Sequence, residues 1–190
     1  MRHGMTARML QHIDRMRRDQ RGVSAIEFAM VVPFLIILYV ATVEIGSALT
    51  IHRRTSNVAV TAADLTAQVK SVTKDDIEDI QAAATSILSP YSTIPLTIVL
   101  SSVVADVNNN GKVEWSCASK GSARAEDSAY VVPAGLTEAN SSVIVAEVAY
   151  AYTGLLGLTE FFNPGSYNMT RTFYTRPRQS AKVDKTDVGC

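Results

Sequence analysis

From Phe28 to Ile51 the chain is apolar at almost every position, and the only charged side chain in that run is Glu44. A helix needs about 20 such residues to cross the roughly 30 Å hydrocarbon core of a bilayer, so this run is long enough to span one with room for tilt. Helical spacing continues on both sides of it, from Val23 to Ala67, with Val58, Ala62 and Leu65 on one face. The pattern predicts one long membrane-and-stalk helix. Pro33 removes one backbone donor inside it and is expected to bend the helix between Ala29 and Pro33 without ending it. Thr73 then reads as the N-cap of a second helix, with Asp75, Asp76 and Glu78 in its first turn, Ile77, Ile80, Ala84, Ile87 and Leu88 as its buried stripe, and Pro90 as its stop. Beyond Pro90 the pattern turns to β. Leu96–Val104, Lys112–Ala118, Ser142–Tyr152 and Tyr167–Thr175 are rich in β-branched and aromatic residues and predict about four antiparallel strands.

The expected fold class is therefore α+β: a long N-terminal helix, a second helix and a small antiparallel sheet. The expected divisions are a basic segment 1–22, a transmembrane and stalk helix 23–70, an exported α+β domain 71–178 and a C-terminal tail 179–190, loose apart from Cys190 if that cysteine is paired.

Charge sharpens this picture. The net charge of the 190-residue chain is zero, but residues 1–21 hold six arginines against Asp14 and Asp19, a net +4. That basic segment lies before the apolar run, and Arg53 and Arg54 follow it. By the positive-inside rule the N-terminus is cytoplasmic and everything after Arg53 is exported. The expected location is the inner, cytoplasmic membrane, in a single pass. A nucleic-acid reader would need its basic groups on the folded domain, so no nucleic-acid partner is expected. A secretory signal has a shorter apolar core, of about 7–15 residues, cut on its far side. Here the more telling junction is before the run, at Arg21-Gly22, where glycine leaves the backbone sterically open.

Candidate chemistry is sparse. Cys117 and Cys190 both fall in the exported part, where an oxidising compartment allows a bridge; two independent thiols are the alternative. No histidine lies beyond His52, which leaves no Ser-His or Cys-His pair in the exported part, and no cofactor, metal or enzymatic activity is expected. The carboxylate pairs Glu126/Asp127 and Asp184/Asp187 sit among small and polar residues and read as solvated. Asp106-Val107-Asn108-Asn109-Asn110-Gly111 opens like a Ca²⁺ loop, but Cys117 stands where the bidentate glutamate belongs, and Asn-Gly between strands reads first as a hairpin turn. The apolar stretch Leu155–Leu158 with Phe161 and Phe162 is either core or a subunit contact. Glu27, at the edge of the run, either sits at headgroup level or meets a partner cation. Glu44, deeper in the run, either snorkels toward Arg53 or pairs within a helical bundle.

At Arg21-Gly22-Val23-Ser24-Ala25-Ile26-Glu27-Phe28 the chain resembles the pseudopilins of bacterial tight-adherence (Flp) pili, the TadE/TadF-like family, whose mark is a basic segment, a glycine at the cut and Glu-Phe five and six residues after it. Val43-Glu44-Ile45-Gly46, Val113-Glu114-Trp115-Ser116 and Arg176-Pro177-Arg178 resemble further steps of that family, the last favouring a TadE-like member. Asp14, Asp19 and Cys190 depart from its pattern. The resemblance implies that a prepilin peptidase cuts after Gly22, leaving Val23 with a free α-ammonium four residues before Glu27. It also implies a structural role in pilus assembly and secretion, beside other pilins and pseudopilins, inner-membrane assembly proteins and the bilayer, with possible entry into the pilus. The alternative is a periplasmic binding or sensor module on an uncleaved anchor.

Overall fold

The structure, a computed structural model, describes residues 21–108, 110–154 and 167–190. The basic segment up to Gln20 and the apolar stretch Leu155–Phe162 lie outside the described residues. The rest is α+β. In chain order the elements are α1 (Arg21–Ala67), β1 (Ser71–Val72), α2 (Lys74–Thr85) with a 3₁₀ turn Ser86–Leu88, β2 (Leu96–Ala105), β3 (Gly111–Ala118), β4 (Ala129–Tyr130), β5 (Ser142–Tyr152), β6 (Tyr167–Thr175) and β7 (Asp184–Lys185). Two compact units divide between Ile45 and Gly46.

In the first unit α1 runs through Pro33 without interruption. It is apolar on all sides, and its most apolar stretch buries nothing. Phe28, Phe34, Leu38 and Tyr39 all stand exposed. A helix apolar all round belongs in an apolar medium rather than in water.

In the second unit the five-stranded antiparallel sheet has the order β4-β3-β2-β5-β6. One face of the sheet carries Ile98, Leu100, Trp115, Ile144, Ala146 and Val148, packed with Ile51, Val58, Ala59, Ala62, Ala63 and Ala67 of α1 and Ile77, Ala84 and Leu88 of the α2 region. Small residues at i, i+3 and i+4 let the helix axis approach the sheet closely. The stripe is centred on Ala59, Ala63 and Thr66; Leu65, expected to share it, is only half-buried at its margin. Thr55 and Thr66 are buried, and their hydroxyls donate to the carbonyls of Ile51 and Ala62 at 2.9 and 2.8 Å. Their polarity is thus met inside the helix.

The other face holds a smaller core of Val103, Val113, Tyr130, Val143 and Val145 under Val132, Leu136 and Tyr174. Val113 and Trp115 are two residues apart yet serve opposite cores. The cause is a bulge: Ser102 pairs with Trp115 and Val103 with Val113, so Glu114 is the extra residue and the strand's facing flips there. At Gly111 any Cβ would collide with the carbonyl of Tyr130, so β4 can pair at this position only against glycine.

The segment after Arg178, expected to be loose, is instead a packed strap. It runs beside the end of α1, pairs β7 with β1 in parallel, buries Val183 and accepts the indole N–H of Trp115 on the Val183 carbonyl at 2.8 Å. A mostly polar segment whose only large aliphatic side chains are Val183 and Val188 carries no period from which that could be read.

Three turn carboxylates are held below the usual aspartate range. Asp76 takes the Thr73 hydroxyl and then the Thr73 amide in a reciprocal capping box. Asp106 accepts the Asn110 amide and side chain across the β2–β3 turn, and Asp187 accepts from Lys185 and from the Lys74 amide. A carboxylate with a depressed folded-state pKa stabilises the fold fully above its unfolded value of about 3.9 and loses that contribution as pH falls through the folded value. Stability should therefore hold level from neutral pH down to about 5 and fall below about 4. Urea midpoints of the detergent-solubilised protein across that range check this; a midpoint unchanged at the acid end would remove these groups from the account.

Candidate functional site

The motif that carries the resemblance occupies the start of α1. Gly22 has helical neighbours on both sides, and a Cβ placed on it would meet nothing within 4 Å. Packing among the described residues therefore gives no reason for glycine there. Val23, Ile26 and Phe28 are exposed, as is Glu27. Val23 and Glu27 are four residues apart, so they lie on one helix face about one turn from each other. Every residue from Gly22 to Phe28 is presented outward.

Further along α1, Glu44 is only 6% exposed. Thr42 and Thr50 turn their hydroxyls back to the carbonyls of Leu38 and Gly46, at 2.8 Å each. Gly46 again has open space around it. Arg53 is exposed, while Arg54 donates to the carbonyls of Ile87 and Ser89 at 2.6 and 2.5 Å.

Cys117 and Cys190 form a disulfide with their Cα atoms 5.3 Å apart, within the usual span of such bridges. Cys117 is buried in the main core and Cys190 is exposed, so the bridge fastens the end of the strap to β3. Sequence reasoning did not anticipate the strap's other fastenings. The Arg178 amide caps the Ala67 carbonyl at 2.9 Å, closing the C-terminal end of α1, and its guanidinium pairs with Asp64. Gln179 reaches the Gln68 carbonyl, Lys182 bridges Glu114 and Asp184, and Asp187 accepts from the Lys74 amide. Arg176 grips the 135–138 turn through the carbonyls of Gly135 and Leu136 and the carboxylate of Glu138. The Arg-Pro-Arg step thus joins two parts of the domain. The signal that could have pointed to the strap is the lone Trp115 in an alternating strand, since a buried indole N–H needs an acceptor, here the Val183 carbonyl.

The groups weighed for chemistry have structural occupations. Asp184 pairs with Lys182, and Asp187 pairs with Lys185 and accepts from the Lys74 backbone amide. Asp106 spends its oxygens on the Asn108 and Asn110 amides, both at 2.8 Å, in the manner of an Asx turn. Asp127 sits at φ +59 in the turn that leads into β4. Among the described residues no three His, Cys, Asp or Glu side chains gather closely enough to hold an ion.

Residues 22–64 match the family described as TadE-like protein. The matched stretch begins at Gly22 and covers nearly all of α1, leaving the sheet and the strap outside it. No curated protein and no solved structure matches the chain.

Proposed function

We propose that the chain is a pseudopilin or minor-pilin-like component of the tight-adherence pilus machinery. In this reading it is anchored by α1 in the cytoplasmic membrane, with the basic segment inside and the α+β domain outside. A prepilin peptidase cuts it after Gly22, and the product works beside other pilins and inner-membrane assembly proteins with no substrate turnover of its own. The observation that carries the reading is the family match over residues 22–64, which opens on the glycine where the basic segment meets the apolar helix. Two features support it. The motif Gly22–Phe28 is exposed and open on every side, as a peptidase substrate must be, and the helix that follows is apolar all round.

The test is N-terminal sequencing of the protein recovered from native membranes. A chain beginning at Val23 is expected. A chain beginning at Met1 would instead mark an uncleaved anchor, as on a periplasmic binding or sensor module, and would end the pseudopilin reading.

A further inference from the structure

The last residues of the apolar run, Gly46–Ile51, belong to the second unit, and there α1 is packed rather than free. Ile51 is part of the main core and Ala48 packs against it, in a cluster that includes Leu96, Tyr150, Tyr152 and Met169. Those four residues mark one end of the sheet: Leu96 pairs with Tyr150, Tyr150 with Met169, and Tyr152 with Tyr167. Arg171, two residues further into β6 than Met169, is in contact with His52. The strand ends therefore lie beside the close of the apolar run. Loop 89–95 is drawn to the same level, because Arg54 bonds the Ile87 and Ser89 carbonyls and stacks 5.6 Å from the Tyr91 ring centroid.

This end of the domain has the chemistry of an interfacial belt. Ile94 is 81% exposed and Tyr167 62% exposed. Tyr150 and Tyr152 are buried in the core here, while Tyr167 and the half-buried Tyr91 reach the surface, which favours headgroup depth, where such amphipathic rings concentrate. Lys120 donates to the carbonyls of Thr93 and Ile94 at 3.2 and 2.8 Å, placing a cation against the exposed isoleucine, with Arg53 exposed one turn past Leu49. Cations at that depth attract lipid phosphate.

We propose that this end of the exported domain rests on the phospholipid surface, Ile94 and Tyr167 entering the interfacial layer and Lys120 and Arg53 facing phosphates. The proposal rests on α1 being a membrane span. It predicts that the domain is held against the bilayer rather than swinging on its stalk.

The full chain carrying Ile94→Trp is reconstituted in vesicles of phosphatidylethanolamine and phosphatidylglycerol with brominated acyl chains, alongside Leu38→Trp and the unsubstituted protein. The buried Trp115 of the unsubstituted protein sets the background. Emission added by Ile94→Trp should be roughly halved by the bromines, as for a group about 5–10 Å into the headgroup and acyl boundary, and Leu38→Trp should be quenched at least as strongly. Quenching of Leu38→Trp without quenching of Ile94→Trp overturns the proposal and leaves the span standing. Quenching of neither overturns both. An Ile94→Trp emission shielded from aqueous iodide yet untouched by bromines overturns it in favour of a protein neighbour on this surface.

Discussion

Replacing Gly22 by leucine should leave the protein as a full-length precursor in the membrane, with its orientation unchanged. Among the described residues nothing approaches within 4 Å of a Cβ placed on Gly22, so the substitution has no steric cost there. It also trades the poorest ordinary helix former for one of the best at a position inside α1. Any loss must therefore arise where another protein touches the backbone. A misfit of only about 1.4 kcal/mol at the transition state slows cutting about tenfold, and a leucine side chain against an enzyme that must reach the peptide bond costs more. The basic segment still holds the N-terminus inside. Glu27→Gln should behave differently. It keeps the shape of the motif, so cleavage continues, but the new ammonium at Val23 then has no carboxylate one turn away or on a neighbouring helix, and association weakens. Immunoblots for precursor and mature forms, with recovery in pilus or secretion-complex fractions, separate the two. Normal processing of the leucine variant would move the cut elsewhere, and full assembly of the glutamine variant would return Glu27 to a simple interfacial position.

The second large effect is expected at the strap. Cys117 and Cys190 are 73 residues apart, and in the chain-entropy account closing a loop of that size contributes about 4 kcal/mol. Against a typical net stability of about 5–15 kcal/mol, that is a large share. Cys190→Ser should lower the urea midpoint of the detergent-solubilised protein accordingly, and a reductant should bring the unsubstituted protein down to the same value. If variant and parent unfold together under oxidising conditions, the bridge does not stabilise the domain.

The strap also shows where the sequence stops being readable. α1 was legible because its signal is repeated at nearly every position, and α2 because Thr73 and the acids behind it advertise a helix start. The four long strands were legible for the same reason, each being long enough to show an alternation. β1, β4 and β7 have two residues each and no period to detect. The face change between Val113 and Trp115 depends on a bulge at Glu114, which alternation cannot signal. The strap's partners lie more than a hundred residues back for Asp64, Gln68 and Lys74, and its own residues are mostly polar, so neither local propensity nor hydrophobic patterning connects them. The candidate site had the opposite character. Gly22 to Phe28 is written in consecutive residues, and the structure adds to it mainly its openness.

The distance along the chain between Cys117 and Cys190 also sets a clock. At about 5–20 residues per second, the 73 residues separating them take about 4–15 s to be synthesised. Through that interval α1, α2, β2 and β3 already exist, while the carbonyl that takes the Trp115 indole, the amide that caps Ala67 and the sulfur that meets Cys117 do not. The C-terminal end of α1, the Trp115 edge of β3 and a reduced Cys117 all wait uncovered for the same late segment. The domain's most exposed moment thus comes after its helices and first strands are complete, and the stretch from Arg178 to Cys190 ends it.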